Sequence, residues 1–457
     1  MRTPFLTRTN LIAVLFLCII PSWAQQTLDD YVNEGLKNNI VLQQRNISLE
    51  KATLALKIAN GMFAPSIGIV GNYQSGEGGR SINIPVGDLL NPVYSTLNQL
   101  TDSQQFPQIQ NVSENFFPYN FYDVKVRTSM PILNTDLMYN RKIQQQQTLM
   151  QEFERDIYQR ELVRNIKVAY FNYISALKGV EVYKSALLRA QEGKRVNESL
   201  LGNGSGLPAY VLRSNSEIET TTAQLVDADR QVHNAKLYFN FLLNRPAEDS
   251  INVQYPTNVE VERAMELMDE EVSVQKREEL KQLQTAVTIN ESVLKMNKLY
   301  WSPKLSGFLD LGSQAQNLAW NNDARYYLFG FSAEIPLFAG FTNRNKISQA
   351  NLDIKNAELA FTNTSRQLEM AGSISRNALV SAYQNYLSAQ KQLEAARSYQ
   401  KLIDKGYKEG INTFIEAIDA RNQLTSAQLQ LNINLFRVLI AKANLERETA
   451  QYSLSKN

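Results

Sequence analysis

The chain has 457 residues, a formal net charge of +2, one histidine and one cysteine. That length allows two or three average domains or one elongated repeat protein. The small charge gives no basic field for nucleic acid, and a single histidine with a single cysteine is a poor basis for a zinc site or a Ser-His-Asp triad. We therefore predict that the chain is not an enzyme and that it holds no metal or cofactor. His233 lies in a polar helical stretch and is expected on a helix surface.

The first 24 residues have the pattern of a secretory signal peptide. Arg2 and Arg8 precede an apolar run over 11–20, and residues 22–24 form a small-x-small cleavage site. The apolar run is too short to span a membrane as a helix. Cleavage would remove Cys18 and both arginines, which leaves a chain without a thiol and takes the net charge from +2 to 0.

Most of the remaining chain is predicted to form long helices. It is rich in good helix formers, it contains no run of 18 apolar residues, and its apolar residues recur at three- to five-residue steps along one face. Helices are predicted over 139–197, 209–243, 260–299, 344–405 and 413–452. At about 1.5 Å per residue, the longest exceed a compact globular domain, so they favour coiled-coil-like packing or a helical tube.

Short segments of alternating apolar and polar residues lie between these helices. Strands are predicted over about 64–75, 123–133, 303–313 and 326–338. Their apolar faces include Val124, Val126 and Met130 in the second strand and Tyr327, Phe329 and Phe331 in the fourth. Such alternation is typical of a transmembrane barrel strand with an apolar exterior, and equally of a half-buried soluble strand. The alternation alone leaves both readings open.

An internal duplication relates the two halves of the chain. Met130-Pro131-Ile132-Leu133 is echoed by Ile335-Pro336-Leu337-Phe338, and Gly204 lies 206 residues before Gly410. We predict a first structural repeat over 25–250, with a helical hairpin at about 139–246, and a second over 251–457, with a hairpin at about 344–452. Four strands cannot close a barrel wide enough for a channel, and an open sheet in lipid would leave unpaired edges. Several copies are therefore expected to share one barrel.

The second half carries the most specific motif. Tyr407-Lys408-Glu409-Gly410 is followed by Phe-Ile-Glu-Ala-Ile-Asp-Ala over 414–420 and by Leu424. This resembles the Tyr-x-x-Gly and Leu-Asp-Ala-x-x-x-Leu pattern of the TolC-like outer-membrane efflux protein family. The run Ile-Pro-Leu-Phe-Ala-Gly-Phe over 335–341 is similar to the strand-to-helix exit of that family.

The first half departs from the family pattern at three positions. Leu201 stands where the tyrosine is expected, Tyr210 is equivalent to Glu416, and Asn134 replaces the aromatic residue of the strand exit. These departures concern individual residues and leave the resemblance in architecture intact.

The resemblance implies a mainly α fold with transmembrane β structure. Long antiparallel helices would form a periplasmic α-barrel, and each chain of a homotrimer would give four strands to a shared 12-stranded β-barrel in outer-membrane lipid. It implies passive conduction from an inner-membrane pump, such as an RND transporter, and a periplasmic adaptor (membrane fusion) protein to the cell exterior. An exit duct of a type I protein secretion system has the same fold, and a periplasmic coiled-coil adaptor or scaffold is a less favoured alternative.

The resemblance also implies site residues. Glu416 and Asp419 match acidic positions around the closed pore entrance, and Tyr407 matches a position that latches neighbouring helices. The alternative for the carboxylates is a solvated helix start stabilised by the helix dipole. The adaptor is expected to dock on the exposed helical turns, at Gly204, Gly206, Leu207, Pro208, Gly410, Ile411, Asn412 and Thr413.

Two loops between strands are expected to face the outside. Residues 76–122 form a long insertion, and whether it covers the pore mouth stays open. The shorter counterpart, 313–325, carries Trp320, as an aromatic girdle would.

Overall fold

The computed structural model describes residues 27–117, 119–269 and 272–452, so the predicted signal peptide lies outside the described residues. Helices cover Leu28–Asn38 (α1), Ile40–Gly61 (α2), Val86–Leu100 (α3), Thr135–Gly202 (α4), Pro208–Leu243 (α5), Thr257–Asp269 (α6), Glu278–Lys298 (α7), Thr342–Lys408 (α8) and Phe414–Glu448 (α9). Strands cover Ser66–Gln74 (β1), Ser81–Ile84 (β2), Val112–Asn115 (β3), Phe121–Leu133 (β4), Lys304–Gln316 (β5) and Arg325–Glu334 (β6).

The chain divides into two compact units. The first, called the helical unit, comprises residues 27–44, the described residues of 155–277 and residues 365–452. The second, called the sheet unit, comprises Arg45–Glu154 and Glu278–Thr364. Each unit therefore draws segments from both sequence repeats. Among the helices of the described ranges, none is long and apolar enough to cross a membrane.

The core of the helical unit is built around aromatic side chains. Tyr31, Tyr170 and Phe239 are fully buried, and their ring centroids lie 5.1 to 6.0 Å apart. Residues of α4 that recur on one face in the sequence, such as Leu162 and Ile166, are buried in this core. Burial of these apolar side chains is the main favourable contribution to the packing of α4 against its neighbours.

The prediction of one continuous helix over 260–299 is wrong. Helix α6 ends at Asp269 and α7 begins at Glu278. Arg277, just before α7, is buried, and its Nη1 donates to the carbonyl of Glu448 at 3.0 Å and to the Glu448 carboxylate at 2.7 Å. A buried guanidinium requires such a charged partner, so this tertiary contact outweighs the local preference for helix.

The sheet unit contains an antiparallel sheet of four strands in the order β1-β4-β5-β6. The two edge strands are β1 and β6, so each edge presents unpaired backbone groups. Strand β6 ends at Glu334, earlier than the predicted end near 338. Pro336 explains the difference, because proline has no N–H to continue the ladder.

The insertion between β1 and β4 is a folded element rather than an irregular loop. It contains the antiparallel pair β2–β3 and the helix α3, none of which the sequence pattern indicated. Asn98 of α3 donates from Nδ2 to the carbonyl of Phe106 at 2.8 Å and accepts from the Phe106 N–H at 3.0 Å. Asn91 makes the same two bonds with Ile109, both at 2.9 Å. These side-chain amides hold α3 to the segment that returns towards β3.

Candidate functional site

The helical unit contains two sharp turns, one between α4 and α5 and the other between α8 and α9. Gly204 and Gly410 have φ values of +72° and +79°, which favour glycine. At position 206 glycine is required for a different, steric reason, since a Cβ there would lie 2.6 Å from the backbone nitrogen of Leu201. Pro208 occupies the first turn of α5, where its missing N–H has no cost. The helix reversals predicted at these glycines are thus present, and adaptor docking at them stays a prediction.

Glu416 lies in the first turn of α9 and closes a capping box. The Thr413 hydroxyl accepts from the Glu416 N–H at 3.3 Å. The Glu416 carboxylate accepts from the Thr413 N–H at 2.7 Å and from Nδ2 of Asn412 at 3.3 Å. The Thr413 N–H and then the Asn412 and Thr413 side chains hold the pKa of Glu416 below its usual range. The Glu416 carboxylate therefore fixes the start of α9 while keeping its charge.

Asp419 follows one helical turn later, and its side chain is exposed like that of Glu416. Its carboxylate accepts from Nε2 of Gln423 at 2.8 Å. The opposite side of α9 is buried through Phe414, Ala417 and Ala420. Both predicted gate carboxylates thus point away from the packed face of their own helix, where they are free to meet ions or another chain.

Tyr407, the predicted latch, connects the last turns of α8 to the other helical pair. Its hydroxyl donates to Oδ1 of Asn197 on α4. Asn197 is 2% exposed, and its Nδ2 donates to the hydroxyl of Ser214 on α5 at 2.8 Å. Burial raises the pKa of Tyr407, so the phenol stays neutral and keeps its proton for this bond. One hydrogen-bonded chain therefore joins α8, α4 and α5 near the two turns.

An aromatic stack supports this connection. The ring of Phe414 lies 5.8 Å from that of Tyr407 and 4.8 Å from that of Tyr210, measured between centroids. Tyr210 is the residue that stands where an acidic side chain was expected from the second repeat. Its packing on Phe414 explains an aromatic side chain at this position.

A buried charged cluster near these residues was not predicted from the sequence. Arg421 of α9 is 7% exposed, and its Nη2 lies 3.5 Å from Oε2 of Glu217 on α5. Its Nη1 donates weakly to the carbonyl of Arg189 on α4, at 3.5 Å. Burial raises the pKa of Glu217, and the guanidinium of Arg421 opposes that shift.

The hydrogen bonding of this cluster is incomplete. Within the described part of the chain, buried atoms without a hydrogen-bond partner include Nε and Nη2 of Arg421, Nε of Arg189 and Oε2 of Glu217. Arg421 and Glu217 still oppose each other as an ion pair, so the cluster lacks hydrogen bonds rather than a counter-charge. The only hint in the sequence is an arginine two residues after Asp419 on an otherwise small and apolar face.

The sheet has two chemically different faces. The cross-strand register places the residues predicted for the barrel exterior on one face, together with Ile67, Ile69, Leu309 and Leu311. That set is Val124, Val126, Met130, Tyr327, Phe329 and Phe331, and all six are exposed. Such a continuous exposed apolar face marks contact with lipid or with another protein.

The opposite face carries paired charges. Nε and Nη2 of Arg127 donate to the two carboxylate oxygens of Asp310 at 2.7 and 2.6 Å. Nζ of Lys125 donates to Asp123 at 2.6 Å, and the hydroxyl of Tyr326 donates to the same carboxylate at 2.7 Å. The alternation read from the sequence is therefore present in the sheet: the paired charges lie on one face, and the apolar face carries Arg325 near its end.

His233 lies on α5 with its side chain 46% exposed, and its Nδ1 is 3.8 Å from a carboxylate oxygen of Glu248. In the described ranges, no group of three or more His, Cys, Asp or Glu side chains is arranged to hold a metal ion.

Comparison with known proteins gives one family match. Residues 273–451 match the family described as outer membrane efflux protein. This range begins just before α7 and includes β5, β6, α8 and α9, and therefore the turn with Tyr407 and Glu416. No curated protein matches the chain.

Solved structures extend the likeness to almost the whole chain. The outer membrane protein VceC of Vibrio cholerae is 12% identical, with a TM-score of 0.72 over 92% of this chain and 95% of that one. The CmeC outer membrane channel of Campylobacter jejuni is 14% identical, with a TM-score of 0.72 over 94% and 87%. The MtrE outer membrane channel of Neisseria gonorrhoeae is 16% identical, with a TM-score of 0.72 over 93% and 89%.

These likenesses confirm the predicted fold class and the resemblance stated from the motifs. The fold combines long antiparallel helices with a four-stranded antiparallel sheet whose two edge strands, β1 and β6, are unpaired within one chain.

Proposed function

We propose that this chain, which has the fold of the TolC-like outer-membrane efflux proteins, is a subunit of a passive outer-membrane channel. Three copies form the pore, a periplasmic adaptor and an inner-membrane pump deliver substrates to it, and the substrates leave the cell without chemical change. The chain performs no catalysis in this proposal. The helical unit lies in the periplasm.

The two-faced sheet is the observation that carries this proposal. A row of exposed aromatic and aliphatic side chains covers one face, whereas Arg127 and Asp310 pair on the other. An apolar exterior suits lipid, and a polar interior suits a water-filled pore. Strands β1 and β6 leave their edges open, and lipid cannot satisfy those backbone groups. Sharing the sheet with further copies removes both edges.

The helices of the sheet unit support assembly with further copies. Ile47 and Leu54 on α2 are exposed and seven residues apart, as are Leu352 and Leu359 on α8. Seven-residue spacing of apolar side chains is the pattern of a coiled-coil seam. Each chain therefore offers two unpartnered seams, and a neighbouring copy would cover them.

The gate proposal starts from Glu416 and Asp419. Threefold symmetry would bring six carboxylates around one axis, where they would attract cations and exclude anions. Tyr407 would hold α8 against α4 through Asn197, which would keep the entrance narrow. Both roles are consistent with the exposure of the two carboxylates and the burial of the latch partner.

The gate can be tested by the ion selectivity of purified channels in a planar bilayer. The Glu416→Gln variant keeps the capping box, because glutamine serves at this position, and removes only the charge. We expect Glu416→Gln with Asp419→Asn to lower the preference for cations, read as a shift in reversal potential under a salt gradient. The exposed Glu409→Gln variant is the matched control outside the ring. An unchanged reversal potential removes the gate assignment, and no current from the wild-type protein overturns the channel proposal.

Adaptor docking is proposed at the exposed turns. Leu207 and Ile411 are both more than half exposed there and offer apolar contacts to a helical hairpin. We expect Leu207→Ser and Ile411→Ser to reduce cross-linking to the adaptor while trimers persist. Leu188→Ser, at an equally exposed position of α4 away from the turns, is the control. Equal cross-linking in all variants would remove docking from the turns.

A further inference from the structure

A groove of about 580 Å³ lies on the apolar face of the sheet. Val124 and Leu311 form part of its floor, and Trp320 and Arg325 border it. Gly71, which pairs directly with Val124, adds no side chain to this part of the face. The groove therefore offers an apolar surface to a chain-like ligand.

Trp320 is held firmly at the edge of this groove. Its indole stacks on the ring of Tyr122, with 4.2 Å between centroids. The Tyr122 hydroxyl donates to the carbonyl of Ala319 at 3.0 Å and lies 2.8 Å from the hydroxyl of Ser313. Tyr122 is 2% exposed, whereas Trp320 remains 65% exposed. The loop is thus fixed, and one indole face is left for a ligand.

Arg325 is an exposed cation on a face that is otherwise apolar. It pairs with Ser313 in the β5–β6 ladder, and it shares the side of β6 that carries Tyr327 and Phe329. Across the described ranges, no carboxylate lies within ion-pair distance of its guanidinium, and the nearby Asp323 does not pair with it. The carboxylates of Asp123 and Asp310 are engaged on the opposite face.

A neighbouring copy does not supply the missing charge through its edge strand. The strand that β6 would meet in a shared barrel is β1, and Ser66–Gln74 contains no aspartate or glutamate. An arginine on a lipid-facing surface costs about 2–4 kcal/mol at the middle of the bilayer and about 0–1 kcal/mol near its surface. At the end of a strand, where this cost is small, the arginine can face the headgroups, and an anionic headgroup is the partner that the lipid offers it.

The position of Arg325 along the strand fits that partner. The helices join the sheet at Ser66, Leu133, Lys304 and Glu334, and Arg325 and Trp320 lie at the other ends of the strands. With the helices in the periplasm, those ends reach the outer surface of the membrane. Tryptophan favours the headgroup level, and a planar guanidinium suits bidentate contact with phosphate.

We propose that Arg325, Trp320 and the groove between them bind a phosphorylated lipid of the outer leaflet. The guanidinium takes the phosphate, the amide of Asn321 at the groove edge adds a polar contact, and an acyl chain lies on the floor formed by Val124 and Leu311. This proposal rests on the proposed function, because it requires this face of the sheet to meet lipid.

The test uses purified full-length trimers in nanodiscs of phosphatidylcholine, with and without lipid A. Native mass spectrometry then measures how much lipid A each trimer retains after release from the disc. Loss of a charge-assisted contact should lower retention by about tenfold in Arg325→Gln. Trp320→Leu should also lower it. Arg80→Gln, an exposed arginine of the insertion at the same end of the sheet, should retain lipid A like the wild type.

The possible outcomes separate this inference from the proposed function. Equal retention in the wild type and Arg325→Gln overturns the lipid site. Displacement of lipid A by inorganic phosphate alone also overturns it, since the site would then hold free phosphate. If the wild-type protein forms no conducting trimer, the proposed function itself fails, whereas a conducting trimer without lipid A preference removes only this inference.

Discussion

The guanidinium of Arg421 on α9 occupies the space that Gly193 leaves on α4. A Cβ at position 193 would lie 1.8 Å from Nη1 of Arg421, closer than any real contact. The glycine thus leaves room for a buried cation between α4 and α9. Helix α4 also carries the latch partner Asn197, and α9 carries the carboxylates of Glu416 and Asp419. This contact connects the packing of α9 with the proposed gate.

The Gly193→Ala variant should loosen this contact. Arg421 is enclosed between α4 and α5, so moving it strains its pairing with Glu217, and we expect a loss of about 1–3 kcal/mol in the free energy of unfolding. Gly179→Ala is the matched control on the same helix, because nothing lies within 4 Å of a Cβ there. It should stabilise the helix by about 0.5–1 kcal/mol. Denaturant unfolding measures the free energy of unfolding of both variants. Equal changes in that free energy would contradict the proposed fit of Arg421 against Gly193.

The Tyr407→Phe variant should weaken the connection between α8 and α4. It removes one hydroxyl and leaves Oδ1 of the buried Asn197 without that donor, at a cost of about 1–3 kcal/mol. If the latch narrows the pore, single-channel conductance should rise as well. Tyr399→Phe, at an exposed position of α8, should change neither quantity. A stability loss without any change in conductance would make Tyr407 a structural residue only.

The capping box at Glu416 predicts a dependence of stability on pH. Because the Thr413 N–H and the neighbouring side chains lower the pKa of Glu416, its contribution is complete above the ordinary pKa of glutamate, about 4.3. It is lost as the pH falls through the lower folded-state value. Glu416→Gln does not titrate, so its melting temperature should fall less in acid than that of the wild type. If the melting temperatures of the two proteins fall equally with pH, the proposed contribution of the Glu416 carboxylate to the cap is wrong.

The insertion between β1 and β4 should depend on its asparagines. Asn98→Leu removes both bonds to Phe106, at about 0.5–1.5 kcal/mol for each hydrogen bond. We expect faster cleavage within the insertion in limited proteolysis, with trimers intact. Gln99→Leu, at the exposed neighbouring position, should be cleaved like the wild type. Unchanged cleavage in Asn98→Leu would show that other contacts hold α3.

Features set by local periodicity could be predicted from the sequence. The alternation of Val124 and Val126 against Lys125 and Arg127 reappears as the two faces of the sheet. The glycines at 204 and 410 mark the helix reversals, because few residues other than glycine accept their φ values. These features depend on neighbours in the chain, which the sequence displays directly.

Features set by distant contacts could not be predicted in this way. The cluster of Arg421 joins residues of three helices, and no spacing in the sequence connects 189, 217 and 421. The break before α7 depends on Arg277 meeting Glu448, 171 positions later. The insertion folds through polar amide-to-backbone bonds around Asn91 and Asn98, so it lacks the apolar period that signals a helix packed on a core.

The mass of the particle after signal removal and extraction from membranes tests the central claim most directly. A sheet with one apolar face and two open edges predicts a membrane-bound trimer that requires detergent. Light scattering of the purified protein should therefore give three copies of the chain in each detergent particle. A folded monomer that remains in solution without detergent would contradict the account.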